Sequence, residues 1–230
     1  MDITMHCEER GSGRPLIMLH GNGEDGSYFA AQAEWFSRDF RTIALDTRGH
    51  GRTPRGTAPF TIRQFALDLR DFMDERGIDR ACILGFSDGG NIALVFGLMF
   101  PERVECLVAN GANLFFDGLV PEVRREIDDA ARKARMRLEA GDESARHDLE
   151  LLSLMTDDPD IDPSELAALT MPVLVICGTQ DMIADEHSSL IARSIPNARF
   201  VRIDGDHFIA AKNPQAFNGA VEEFLRTVVQ

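Results

Sequence analysis

The chain has 230 residues, 44% hydrophobic and 27% charged, which suits one globular domain with a large core. Its formal net charge of −14 repels nucleic acid and anionic membranes, so neither is expected as a partner, and strongly anionic substrates are disfavoured. No apolar run approaches the ~18 residues needed to cross a bilayer, and Met1-Asp2-Ile3-Thr4-Met5-His6 lacks the basic and apolar stretches of a secretion signal, so a cytoplasmic protein is expected.

In chain order, Ile3-Thr4-Met5-His6-Cys7-Glu8 alternates in polarity and predicts an antiparallel edge strand. Apolar runs at 16–20, 42–46, 81–86, 104–110, 172–178 and 198–203 predict further strands. Helical patterns lie between or after them at 27–38, 61–76, 89–100, 186–194 and 214–229. Strands that are apolar throughout and joined by helices imply an α/β fold with a mostly parallel sheet covered on both faces.

One stretch breaks this alternation. No strand is expected between Asn113 and Thr170. Val120, Val123, Ile127, Ala130, Ala131 and Ala134 recur at helical spacing, and Leu149, Leu151, Leu152, Leu154 and Met155 mark a second helix. Pro159 closes that helix because it cannot continue one, and a third short helix is expected at 163–169. The insertion predicts a helical cap, 113–170, placed before the penultimate strand of a core formed by 1–112 and 171–230. Its charged residues Arg124, Arg125, Glu126, Arg132, Lys133, Arg135 and Arg137 read as a solvated face.

Cys7, Cys82, Cys106 and Cys177 each fall in a predicted strand, at spacings that fit neither a zinc site nor a C-x-x-C pair. Buried, reduced thiols are expected. His147 and Glu150 share a helix face, but two potential ligands do not make a metal site. No metal or other cofactor is expected.

Gly85-Phe86-Ser87-Asp88-Gly89 carries the chemistry. It joins an apolar strand to a helix, and a serine there with glycines two residues either side reads as a nucleophile elbow. A turn tight enough to lift one hydroxyl out of the backbone leaves no room for side chains where the chain folds over itself. Other polar signals fall at strand ends, where ligands sit in open α/β sheets. His20-Gly21-Asn22-Gly23 follows the second strand, Asp181 follows 172–178, and His207 follows 198–203. Their order is Ser, Asp, His.

With Asp46-Thr47-Arg48-Gly49-His50-Gly51, Gly178-Thr179-Gln180-Asp181 and Gly205-Asp206-His207-Phe208, these pieces span nearly the whole chain outside the insertion. The sequence resembles the α/β-hydrolase superfamily, which implies that fold and a serine hydrolase. A serine hydroxyl needs an adjacent base. His207 would take its proton, and Asp181 would hold the other imidazole nitrogen. Asp204, Asp206 and Asp185 compete for that last role. Some family members place the acid after the preceding core strand, where this chain offers Asn110 and Asn113, and that favours Asp181.

The first oxyanion donor is expected to be the backbone N–H of Asp88, and the second, by resemblance, that of Asn22, whose side chain could add a third contact. Ser87 in place of a nucleophilic aspartate argues against dehalogenation, although an asparagine follows His-Gly as in dehalogenase-like relatives. His20, Arg48 and His50 read as supports of their loops, and Thr53 stands where a serine is common. Asp88 is unusual, because a carboxylate beside the nucleophile opposes a developing oxyanion unless it is turned away or paired. The same Ser-Asp-Gly-Gly order occurs in relatives of the biphenyl-hydrolase-like amino-ester hydrolases, which implies recognition of a substrate ammonium. The alternative is that Asp88 caps its own helix.

An apolar substrate pocket is expected from Phe86, Phe115, Phe116, Met155, Met182, Ile183 and Phe208, partly supplied by the cap. The leading expectation is hydrolysis of small carboxylic esters, with thioesters or lactones as variants, through an acyl-enzyme on Ser87. Carbon–carbon bond hydrolysis of a ring-cleavage product uses the same triad. A ligand-sensing regulatory module that keeps the fold is the alternative from another class. The sequence leaves the oligomeric state open.

Overall fold

The computed structural model describes residues 2–228. Seven strands form one sheet: β1 (Cys7–Arg10), β2 (Arg14–Leu19), β3 (Phe40–Leu45), β4 (Ala81–Phe86), β5 (Val104–Asn110), β6 (Val173–Gly178) and β7 (Ala198–Ile203). Their spatial order is β1-β3-β2-β4-β5-β6-β7. All neighbours are parallel except β1, which pairs antiparallel with β3 at the edge. The chain winds outward in one direction from β2 to β3 and then in the other from β4 to β7. The crevice at the β2/β4 junction is the switch point at which such sheets bind ligands.

Helices cover both faces. On one side α2 (Ile62–Glu75), α3 (Asp88–Met99) and α6 (Asp185–Ser194) bury Phe65, Leu69, Phe72, Ile92, Phe96 and Ile191 against Ala81, Ile83, Leu107 and Ala109 of β4 and β5. On the other, α1 (Ala30–Phe36) and α8 (Pro214–Val228) bury Phe36, Phe217, Val221 and Phe224 against Cys82, Leu84, Cys106 and Val108. Every residue of β4 and of β6 is buried, which is why these strands read as continuous apolar runs. The Thr61 hydroxyl accepts from Gln64 N and starts α2 where the pattern predicts.

The first strand begins four residues later than the alternation suggests. Ile3 and Met5 are buried in the main core, yet the segment before Cys7 contributes a single backbone bond to the sheet region, from Asp46 N to His6 O (3.0 Å). Alternating polarity reports which side chains face the core, not which residues join a ladder. Cys7 is half-buried rather than buried, while Cys82, Cys106 and Cys177 are buried, and all four are free thiols. A short helix, α7 (Ile209–Lys212), has no counterpart in the sequence expectations. The last predicted helix includes Val229, which lies outside the described residues.

Between β5 and β6 lie α4 (Pro121–Glu139), α5 (Ala145–Thr156) and a 3-10 segment, Pro163–Ala168. Leu119, Ile127 and Ile183 form a small apolar cluster of their own, packed by Phe116, Val123, Leu152, Met155 and Met182. Leu114, Leu154, Ile161, Leu166 and Leu169 instead join the main core, so the insertion is anchored at both its ends. On the outer face of α4, Arg125, Arg132 and Arg137 pair with Glu122, Asp129 and Asp142 in exposed ion pairs, which contribute little to stability. Among the described residues no helix is long and apolar enough to cross a membrane.

Candidate active site

β4 delivers Phe86, and α3 starts at Asp88. Ser87 between them has φ 54° and ψ −119°, a left-handed conformation that a non-glycine residue adopts only under constraint. The crowding expected of an elbow is present. A Cβ on Gly85 would lie 2.0 Å from Gly89 O, and one on Gly89 would lie 1.9 Å from Leu19 O. Ser87 N donates to Asn110 O (2.8 Å), which ties the turn to the end of β5. Ser87 is half-buried.

Asp181 and His207 come from the loops after β6 and β7. His207 Nδ1 lies 2.6 Å from Asp181 Oδ1. The same carboxylate accepts from Ile183 N (3.0 Å) and Gly178 N (3.2 Å), so its orientation is fixed by backbone. With a carboxylate on Nδ1, that nitrogen carries the proton and Nε2 is left as the basic nitrogen. The competing carboxylates are engaged elsewhere: Asp185 with Arg202, Asp204 with the Thr179 hydroxyl, Asp206 with Lys212 and Phe208 N.

The His207 ring lies 4.7 Å from the Phe86 ring, centroid to centroid. A Cβ on Gly111, at φ 61°, would stand 2.7 Å from His207 Cε1, so that glycine makes room for the imidazole beside Ser87's tie to Asn110. Ser87 and His207 share no hydrogen bond among the described residues. Such bonds are often long or misaligned without substrate and tighten when it binds.

The loop after β2 closes the site from the other side. His20 is buried, Nδ1 donates to Gly21 O (2.7 Å), and Nε2 accepts from Thr47 N (3.0 Å). Burial pushes its pKa down to about 4, so the ring is a neutral fastener between two loops. Thr53 donates to Asp46 O (2.8 Å) and accepts from His6 N (2.8 Å), which closes the neighbouring turn. Gly21 runs directly over the elbow, because a Cβ there would lie 3.1 Å from Ser87 Cβ and from the Phe86 ring.

The Asn22 side-chain amide, which could have added a third oxyanion contact, is engaged elsewhere. Its Nδ2 donates to Asp88 Oδ2 (2.9 Å) and to Leu151 O of α5 (2.8 Å), which occupies both hydrogens.

Asp88 is 6% exposed. It stands in the first turn of α3, where the helix dipole favours a carboxylate, but its side-chain donor is Asn22 and not an amide of its own helix. Burial pushes its pKa up to about 7; the Asn22 bond and the His207 charge oppose this, and the Asp158 charge adds to it. The raised value means that the folded protein binds a proton which the unfolded chain has lost, from about pH 4 to about pH 7. This group's contribution to stability therefore falls as pH rises through that window and stays low above it. Asp88→Asn keeps an acceptor for Asn22 without the charge. It is expected to raise the thermal midpoint at pH 8 by several degrees, on the order of a few kcal/mol, and by little at pH 4. An equal change at both pH values in a calorimetric comparison would contradict a buried, titrating carboxyl.

Two residues near the pair carried no expectation. Glu24 is half-buried, accepts from Gly21 N (3.1 Å), and is pushed upward in pKa by burial, with His207 close enough to oppose the shift. Its position three residues after Gly21, in the same loop, was the available signal. Tyr28 stacks on Phe86 with the ring centroids 4.4 Å apart and the rings nearly parallel, and its hydroxyl is buried without a partner among the described residues.

The pocket candidates separate. Phe86 is 1% exposed beneath Tyr28 and forms wall rather than opening, whereas Phe208 is 40% exposed beside His207. Phe115 stands edge-on to the buried His187. Phe116, Met155, Met182 and Ile183 meet in the insertion's own cluster. Phe115 and Phe116 also line a cleft walled by Asp117, Thr156, Asp157, Asp158 and Asp160, which is more acidic than the apolar pocket expected. Among the described residues no group of three or more His, Cys, Asp or Glu side chains is placed to hold a metal ion.

A family model described as the alpha/beta hydrolase fold matches residues 14–160. Over its whole length the chain is 26% identical to 97% of RutD of Azorhizobium caulinodans, a protein provisionally named a carbamate hydrolase. It is similar to the enol-lactonase of Burkholderia xenovorans LB400, with TM-score 0.81, 26% identity and 96% of each chain covered. It also shares the fold of a thermophilic esterase from Thermogutta terrifontis, with TM-score 0.83 and 24% identity over 99% of this chain and 95% of that one.

Proposed function

Because the chain belongs to the alpha/beta hydrolase fold family and is a hydrolase, we propose that it cleaves small carboxylic esters, with thioesters or lactones as variants, through an acyl-enzyme on Ser87. The observation that carries this is the Asp181–His207 pair set beside a serine held in a strained elbow. Ser87 Oγ attacks the ester carbonyl while His207 Nε2 takes its proton. The tetrahedral oxyanion is received by the backbone N–H groups of Asp88 and Asn22. The Asp88 group belongs to those that a helix leaves without an intrahelical acceptor. His207 then passes the proton to the leaving alkoxide, the C–O bond breaks, and water repeats the sequence to release the acid. The enol-lactonase relative supports the lactone variant, since a lactone is an internal ester.

Substrate charge follows from the carboxylates around the site. Glu24 and Asp88 are both close enough to His207 for their charges to interact. An acyl group carrying its own carboxylate meets repulsion there, while a neutral group or one with an α-ammonium does not. The test is fluorophosphonate labelling mapped to Ser87, with kcat/KM for matched esters bearing a neutral, an α-amino or a carboxylate substituent, and a ring-cleavage dienone for comparison. Stoichiometric labelling and a preference of about tenfold or more for the neutral and amino esters are expected. Preference for the dienone over every ester would replace ester by carbon–carbon hydrolysis. Absence of both labelling and turnover would favour a sensing module. An equal kcat/KM for the amino and neutral esters, unaffected by Asp88→Asn, would remove ammonium recognition.

A further inference from the structure

The two residues whose backbone N–H groups form the proposed oxyanion hole, Asn22 in the loop after β2 and Asp88 at the start of α3, lie 66 positions apart, and their side chains are bonded to each other. Asn22 Nδ2 reaches Asp88 Oδ2 at 2.9 Å and, with its other hydrogen, Leu151 O at 2.8 Å. Leu151 lies in mid-α5, next to Glu150, which binds Arg55 through two bonds of 2.9 and 2.7 Å. One carboxamide thus joins the oxyanion loop, the elbow helix and the insertion, at a turn of α5 that is itself held to the core. The Asp88 carboxylate beneath it is buried, and the charged or titratable groups that bear on it are Asp158 and His207.

An oxyanion donor works only when aimed, and a displacement of about 1 Å costs on the order of a hundredfold in rate. Nothing covalent fixes the spacing between the Asn22 and Asp88 amides, because one rides on the loop after β2 and the other on the first turn of α3. We propose that the Asn22–Asp88 side-chain bond, braced by Leu151 O, is a positioning clamp that sets the distance between the two oxyanion donors. The clamp rests on the hydrolase mechanism proposed above. It also gives the carboxylate beside the nucleophile a use: Asp88 Oδ2 holds the neighbouring loop through Asn22 while its own backbone N–H serves the reaction.

The clamp is testable because substituting either side chain leaves both backbone N–H donors in place. In p-nitrophenyl acetate turnover, counted per fluorophosphonate-labelled Ser87, Asn22→Ala and Asp88→Ala are each expected to lower kcat about 10–100-fold with little change in KM. The double substitution should be no slower than the slower single one, since both break the same bond. Asp88→Asn, whose side-chain oxygen still accepts from Asn22, should recover most of the loss seen in Asp88→Ala. Asn22→Ser, too short to reach Asp88, replaces Asn22→Ala should the latter fail to fold. The clamp is overturned by an Asn22→Ala kcat within about twofold of the parent, by losses that multiply in the double variant, or by Asp88→Asn being as slow as Asp88→Ala. A parent protein that neither labels nor turns over overturns the hydrolase mechanism and the clamp with it, so the two failures are distinct.

Discussion

Ser87→Ala is expected to lower ester turnover by about 10⁴–10⁶-fold, and Asp181→Asn by about 10⁴-fold, with KM changed far less. The first loss follows from removing the nucleophile. The second is an argument about a tautomer. Asp181 Oδ1 receives both His207 Nδ1 and Ile183 N, and Oδ2 receives Gly178 N. All three partners point hydrogens at the carboxylate, so every position around it demands an acceptor. An asparagine supplies one acceptor and one donor group. Either its NH₂ faces Gly178 N–H, or it flips and faces His207. In the flipped form the amide favours the imidazole tautomer protonated on Nε2, which cannot take a proton from Ser87. Asp206→Asn is the control, because Asp206 is bound to Lys212 and Phe208 N and should leave turnover within about threefold. Fluorophosphonate labelling of Ser87 should slow in parallel with turnover in Asp181→Asn. Equal effects of Asp181→Asn and Asp206→Asn would remove Asp181 from its place.

The elements legible in the sequence are those whose burial is simple. β4 and β6 are buried on both faces, so their composition alone marks them. The segment before Cys7 misled because Ile3 and Met5 face the core from chain that is not in the sheet. α7 escaped notice because its four residues are too few to show a period. In the candidate site, the convergence of Ser87, Asp181 and His207 is legible because each is tied to a strand end, and the fold brings strand ends together. The partners of Asn22 were not, since they lie 66 and 129 positions away and depend on how α5 settles over the elbow. Tyr28 likewise is an ordinary helix-start aromatic in sequence and becomes the cover of Phe86 only in three dimensions.

Arg48→Met is expected to cost about 3–5 kcal/mol of stability, a fall in thermal midpoint of roughly 10 °C, and to slow turnover at temperatures where the variant is still folded. Arg48 is fully buried and Asp68 nearly so, and the two are joined by a pair of 2.7 Å bonds, Nε to Oδ2 and Nη2 to Oδ1. The guanidinium also reaches Asp2 (2.7 Å) and Arg55 O (3.0 Å). Removing the cation strands the Asp68 charge with, among the described residues, only the Gln64 amide (3.0 Å) for a partner, and that stranded charge is the larger part of the cost. Arg48→Met with Asp68→Leu should therefore recover at least half of the loss, because the buried charge leaves together with its partner. Activity enters through the adjacent residue. Thr47 N holds His20 Nε2, and His20 Nδ1 holds Gly21 O, so slack in the Arg48 turn reaches the peptide before Asn22. The double variant should regain midpoint more fully than kcat, since apolar replacement restores packing but not the anchoring of that turn. Full recovery of both would mean that the ion pair supports the fold alone and that the oxyanion loop is held by Asn22 and His20 without it.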